Sequence, residues 1–305
     1  MDTLPLELHS QIFEYACVDD GTTARSLSLV SRYVRHVSEP FRYQSLAVAG
    51  LASLTQLVNK LESLPTHRRR VRHLFLSDWT QKQVHEKAIP SDDADMDRYD
   101  LEKSTITHIL DLVASTLETF AFVSACPFNS SSLVGYLFSL HFPCLRDLAV
   151  HGFYPFPHSP DRMPSLEHLH LSGNRNPHGL LQSGGLSSSC PKLRELRISG
   201  LVSAPAFADE IQSAVVSGEG HPPQTFTPKL PPRLRKIVLD IGPRPSSSRR
   251  YAATFAQHEK MLDVLNALKG RTESTTDIVV DVEVVEAATS VYPYEMLRNS
   301  SRKWQ

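Results

Sequence analysis

The chain has 305 residues, with 32 Lys and Arg against 33 Asp and Glu, a formal net charge of -1. A balance this close to zero gives no general attraction to nucleic acid or acidic membranes, and the length suffices for a large core or an elongated repeat array. Cys17, Cys126, Cys144 and Cys190 lack the C-x-x-C spacing of a zinc or redox site. They read as reduced thiols of a cytosolic or nuclear protein, in which the N-x-S sequons at Asn129 and Asn299 carry no glycan.

The first predicted element opens with "LPLELHSQIF" at Leu4. Nothing basic precedes this run, and Glu7, His9 and Gln11 interrupt it, which argues against a secretory signal. No window approaches the ~18 uninterrupted apolar residues of a membrane span. Leu8, Ile12, Phe13 and Ala16 instead recur at helical spacing. Asp19 to Thr22 predict a turn, and "TARSLSLVSRYVRHV" predicts further helix carrying Leu27, Val30, Val34 and Val37. The chain breaks at Pro40 and enters a strand after Tyr43. Three short helical pieces of this size bury too little surface to be stable alone, yet carry more apolar residues than their own core can use. That excess calls for a partner.

A repeat follows. "YQSLAV" at Tyr43, "VRHLFL" at Val71, "LETFAF" at Leu117, "LRDLAV" at Leu145, "LEHLHL" at Leu166, "LRELRI" at Leu193 and "LRKIVL" at Leu234 share the pattern apolar-x-x-apolar-x-apolar. Their spacings are 28, 46, 28, 21, 27 and 41 residues, mostly near the ~20–29 residues of leucine-rich repeats. Between them the period becomes helical in "LASLTQLVNKLESL", in "STITHILDLVAS" with Ser104 as N-cap, in "SSSLVGYLFSL", and in "TFAQHEKMLDVLNALKG" ending at Gly270. "SGEGHPPQTFTPKLPP" and "GPRPSSSRR" read as flexible insertions, and "DIVVDVEVV" from Asp277 as a last strand carrying Ile278, Val280, Val282 and Val284. Alternating strands and helices predict an α/β fold with a parallel sheet, curved as a solenoid over 49–305 behind an N-terminal helical unit of 1–48. The plainer alternative is an ordinary α/β domain whose strands share the pattern.

The repeats resemble degenerate leucine-rich repeats. The usual Asn or Cys after the strand is mostly missing, with Asn174 the nearest approach. The opening segment resembles an F-box: Leu4-Pro5, the acidic Glu7, Ile12-Phe13, and then Leu27, Val30, Ser31 and Arg32 match the family in order, although Tyr33 or Val34 replaces its usual tryptophan. An F-box followed by leucine-rich repeats is an architecture found in many fungal proteins. The resemblance implies a substrate receptor of an SCF-type cullin-RING ubiquitin ligase. Leu4, Pro5, Leu8, Ile12, Phe13, Leu27 and Val30 would then bind, or support binding of, the adaptor subunit that leads to the cullin, and the repeats would hold a protein substrate. An N-terminal cap sealing the first repeat is the competing reading of the same helices.

Catalytic signatures are missing: no G-x-S-x-G, no phosphate-binding glycine loop, no H-E-x-x-H. Asp93, Asp95 and Asp97 have calcium-loop spacing, but Arg98 and Ser104 stand where such a loop needs glycine and glutamate, so the run reads as a solvated acidic insertion. "HRRRVR" from His67 reads as a solvated edge. The expectation is therefore no enzyme, no cofactor, no metal, no nucleic acid and no membrane, in the cytoplasm or nucleus. Within each repeat the residues between the apolar ones face away from the core. They would line the substrate surface: His73 and Phe75, then Asp147, Ala149 and His151, then His168 and His170, then Glu195 and Arg197, then Lys236 and Asp240, with Phe75 an exposed aromatic anchor. The alternative function is a repeat module for protein interaction unconnected to ubiquitin.

Overall fold

The computed structural model describes residues 4–86, 93–126, 128–154, 159–182, 185–216, 228–269 and 281–286. Three short helices come first, α1 (Leu6–Ala16), α2 (Thr22–Val30) and α3 (Arg32–Ser38), and then a 3-10 turn at Glu39–Phe41. Their ends are set by a few side chains. Pro5, with no N–H to leave unpaired, precedes α1, and Glu7 puts negative charge in its first turn. The Asp19 carboxylate accepts the N–H groups of Gly21 and Thr23 at 3.0 and 2.9 Å ahead of α2. Ser31, in extended backbone, separates α2 from α3, and its Oγ accepts the Val34 N–H at 3.1 Å. Phe13, Val34 and Val37 form the small core between these helices, with Leu27 and Phe41 packed against it.

Strands and helices then alternate. β1 (Ser45–Ala49), β2 (His73–Ser77), β3 (Thr119–Val123), β4 (Asp147–His151), β5 (His168–Ser172), β6 (Glu195–Leu201), β7 (Lys236–Ile241) and β8 (Asp281–Glu286) form one parallel sheet whose spatial order is the chain order. Each apolar-x-x-apolar-x-apolar run supplies one of the first seven strands. Their pairing aligns the motif: Leu74, Phe120, Leu148, Leu169, Leu196 and Ile237 make one row, and Leu76, Phe122, Val150, Leu171, Ile198 and Leu239 another. Side chains alternate along a strand, so both rows fall on one face. That face buries them in a single core with Leu54 and Leu61 from α4 (Leu51–Ser63).

Most of the helices that follow pack into the same core. α5 (Gln81–Glu86) is short, while α6 (Asp93–Val113) brings Ile106 and Ile109 and α7 (Ser130–Ser139) brings Leu137 and Phe138. Beyond α8 (Gly185–Ser189), α9 (Pro205–Val216) adds Phe207 and Ile211, and α10 (Ala252–Lys269) adds Met261 and Leu265.

Successive strand entrances are tied by one repeated backbone device. The Arg72 carbonyl accepts the N–H groups of Glu118 and Thr119 at 2.8 and 3.0 Å, and the carbonyls of Glu118, Arg146, Glu167 and Arg194 do the same for the next strand. At the strand exits the loops after β4 and β5 meet backbone to backbone. Gly173 has φ +94°, and a Cβ there would lie 2.7 Å from the Gly152 nitrogen, so both conformation and space require glycine.

Two expectations need correcting, and one lies partly outside the described residues. The helix expected from Ser104 begins at Asp93, so the acidic run is helix rather than a solvated loop, and the Ser104 hydroxyl donates to the Leu101 carbonyl at 3.0 Å instead of capping. Acidic residues suit a helix N-terminus because its first N–H groups are unpaired and the dipole is positive there. The last strand is described from Asp281, and Ile278 and Val280 lie outside the described residues, as do Gly270 and residues 217–227 of the insertion. Phe75, expected to be exposed, is buried; its setting belongs to the sheet face considered below. Among the described residues no helix is long and apolar enough to cross a membrane.

Candidate interaction surfaces

The N-terminal helices do not bury all of their apolar residues. α1 directs His9 and Phe13 inward, with Phe13 6 % exposed, and leaves Leu8, Ile12 and Tyr15 outward at 44, 51 and 81 %. These three stand four and three residues apart, so they form one stripe. Leu4 and Pro5 are exposed ahead of α1, as is Leu6 at its first residue, and then Leu29, Val30 and Tyr33 across the junction of α2 and α3. Thirteen large apolar residues stand exposed among the described residues, and eight of them lie between Leu4 and Tyr33. Of the residues singled out in the sequence, Leu4, Pro5, Leu8, Ile12 and Val30 are at the surface, while Phe13 and the half-buried Leu27 support it from within. Leu6, Tyr15, Leu29 and Tyr33 join the surface and were not singled out. Helical projection of α1 could have flagged Tyr15. Leu29 lies near the end of α2 and is 75 % exposed, which residue spacing does not reveal.

This unit is also fastened to the sheet edge. The Gln44 amide donates to the Glu14 carbonyl at 2.9 Å, and Arg72 holds Glu14 at 2.6 Å and Glu118 at 2.7 Å. Arg68 pairs with Glu39 at 3.1 Å.

The second surface is the sheet face opposite the main core. The register places His73, Asp147, His168, Glu195 and Lys236 in one row, Phe75, Ala149, His170 and Arg197 in the next, and His151 and Asp240 in a third. The sequence reading of which residues share this face therefore agrees with the register. Their exposure differs. Phe75 is 7 % exposed and packs with Ala121, Val123 and Ala149 in its own small apolar cluster. Ala149, His170, Asp147 and Asp240 are buried as well, because the neighbouring strands stand close enough for their side chains to cover one another. His73, His151, His168, Glu195, Arg197 and Lys236 remain half-buried.

Hydrogen bonds fix the protonation pattern of this face. Arg197 grips Asp240 through two bonds at 2.8 and 3.1 Å, and the Ser199 hydroxyl donates to the same carboxylate at 2.5 Å. With its proton so used, Ser199 accepts from His170 Nε2–H at 2.8 Å. His170 is then the Nε2–H tautomer, and burial first and the Arg197 charge second favour its neutral form by drawing its pKa down to about 4. His151 is held neutral by burial alone, at about 4, and its Nδ1 lies 3.1 Å from Ser172 Oγ. His168 goes the other way: its 2.5 Å bond to Asp147 raises its pKa against the effect of burial. Lys236 pairs with Glu283 at 2.7 Å. Among the described residues no group of three or more His, Cys, Asp or Glu could hold a metal ion.

A third polar centre sits at the exit of β2. The Asp78 carboxylate accepts the N–H groups of Trp79, Ala125 and Cys126 at 2.7, 2.8 and 3.0 Å, joining the loop after β2 to the loop after β3. Glu102 of α6 is fully buried nearby; Arg98 reaches one of its oxygens at 3.2 Å, and the other has no hydrogen-bond partner within 3.5 Å among the described residues. Burial raises its pKa, Arg98 opposes this, and the Asp78 charge adds to it. A carboxyl whose pKa is higher folded than unfolded stabilises the fold below the unfolded value and loses that contribution as pH rises through the folded one. Glu102→Gln is therefore expected to melt with the wild type near pH 4 and above it at pH 8. Thermal melts across that range check it, and a lower melting temperature for Glu102→Gln at pH 8 would count against a strained buried carboxylate.

No family model matches the chain, and no curated protein matches it significantly.

Proposed function

We infer that the chain is a non-catalytic substrate receptor of an SCF-type ubiquitin ligase, with residues 1–48 an F-box and the repeats from residue 49 onward a leucine-rich-repeat-like solenoid. The observation that carries this reading is the crowding of eight exposed large apolar side chains between Leu4 and Tyr33, the segment that bears the Leu4-Pro5, Ile12-Phe13 and Val30-Ser31-Arg32 matches. Apolar surface gathered in one place on a polar protein marks an interaction site. Supporting the solenoid is the sheet itself, whose parallel strands follow chain order and whose pattern recurs with each strand.

The cap reading rests on the polar links of Glu14, Arg72 and Glu39 to the sheet edge. A cap accounts for those links and for the buried Phe13 cluster. It gives no reason for the outward stripe of Leu8, Ile12 and Tyr15. Both roles coexist: the inner side seals the sheet, and the outer side receives the adaptor.

The substrate surface on this reading is the sheet face carrying Glu195 and Lys236, which are half-buried and, among the described residues, have no side-chain bond to a buried group. Truncating Phe75, or the Arg197 that neutralises buried Asp240, would disturb packing instead of testing contact. Glu195→Ala with Lys236→Ala is expected to deplete at least one protein that co-purifies with the wild type, with melting temperature and adaptor content unchanged. Quantitative mass spectrometry of the purified assemblies checks this; identical profiles would move the substrate contact off the sheet.

A further inference from the structure

The N-terminal unit carries a second feature, apart from its exposed apolar stripe. Between α2, α3 and the turn after them lies an open cavity of about 270 Å³. This is just below the ~300–1,000 Å³ typical of small-ligand sites and suits a small anion. Its walls bring together Arg32, Arg35 and Arg42 with His36, Ser28 and one carboxylate, Glu39.

The charges around it do not cancel locally. Glu39 is already engaged by Arg68 at 3.1 Å from outside the cavity. Arg32, Arg35 and Arg42 pair with no carboxylate among the described residues, whereas Arg72, Arg98, Arg194, Arg197 and Arg244 each do. Two of the three guanidiniums are also held in place. Arg35 Nε donates to the Ser28 carbonyl at 2.7 Å, which leaves its terminal N–H groups available, and Arg42 lies 5.7 Å from the centre of the Tyr43 ring. Guanidiniums positioned before a ligand arrives lose little freedom on binding, and their forked donors match the oxygens of a tetrahedral anion.

We propose that this cavity is an oxyanion site that takes a phosphoryl group, the Arg32, Arg35 and Arg42 guanidiniums supplying charge and paired donors. The group arrives either on a small free diphosphate or on a phosphorylated side chain. Bound there, it bridges α2, α3 and the turn that leads into β1. The site stands whether or not the outer stripe binds an adaptor, because it shares none of the residues of that stripe.

Isothermal titration of the full chain at fixed ionic strength, with sodium pyrophosphate, inorganic phosphate and O-phosphoserine against a chloride control, tests it. The wild type should bind pyrophosphate or phosphoserine at one saturable site, and whichever binds more tightly identifies the source. Arg35→Gln with Arg42→Gln should weaken that binding about tenfold or more, since two charge-assisted forks are removed. Arg35→Lys with Arg42→Lys, which keeps the charge without the fork, should fall between, and it carries the test if the glutamine variant does not fold. Arg146→Gln, an exposed arginine distant in sequence, should change nothing. No saturable binding above chloride, or equal affinity in the wild type and both double variants, would overturn the assignment.

Discussion

Replacing Asp78 by alanine is expected to cost about 3–6 kcal/mol of stability. Its two oxygens satisfy three backbone N–H groups, those of Trp79, Ala125 and Cys126, and they do so where Asp78 itself is fully buried. Each buried donor left without a partner costs about 1–3 kcal/mol. Asp78→Asn separates the possibilities further. The Oδ1 position serves Trp79 and Ala125 together, and an amide oxygen there keeps both bonds. The other position faces the Cys126 N–H, where an amide NH₂ offers a donor to a donor. The asparagine variant should therefore lose about 1–3 kcal/mol, clearly less than alanine. Urea denaturation followed by circular dichroism measures both. Equal losses for the two variants would show that Asp78 acts through its charge and not through its count of acceptors.

Asp78 also marks where the sequence stopped being legible. Its position after "VRHLFLS" gave no signal, because the bonds it makes run to residues 47 and 48 positions further along the chain. The strands, by contrast, could be read directly. The apolar-x-x-apolar-x-apolar run sets both the alternation of a strand and the register with its neighbours, so all seven copies fell into place. The same alternation assigned residues correctly to the outer sheet face. It could not give their exposure, which depends on what stands on either side: Phe75 sits beside Ala121 in the next strand and is covered together with it. The start of α6 was misplaced for a different reason. An acidic run with little apolar periodicity reads as solvent-exposed coil, although its charge suits a helix N-terminus and it continues without a break into the apolar turns at Ile106 and Ile109.

In the N-terminal unit, the motif residues divide by burial in a way that allows a clean experiment. Phe13 belongs to the small core with Val34 and Val37, so changing it would unfold the unit and lose binding for a trivial reason. Ile12, one residue earlier, is 51 % exposed and lies outside that core. Ile12→Asp is therefore expected to leave the melting temperature within about a degree of the wild type, as surface substitutions usually do. In a complex with the adaptor, that side chain would be enclosed in an apolar contact. An uncompensated charge enclosed in this way costs about 3–5 kcal/mol, which corresponds to a loss of affinity of roughly a hundredfold to several thousandfold.

The most direct test of the proposed function is a titration of the purified SCF adaptor subunit against the wild-type chain and Ile12→Asp, with thermal melts of both alongside. The ligase reading predicts saturable binding to the wild type, a rise in its melting temperature with adaptor concentration, and a loss of at least a hundredfold in affinity for Ile12→Asp at unchanged intrinsic stability. An adaptor that does not bind the wild type, or that binds Ile12→Asp equally well, would contradict it.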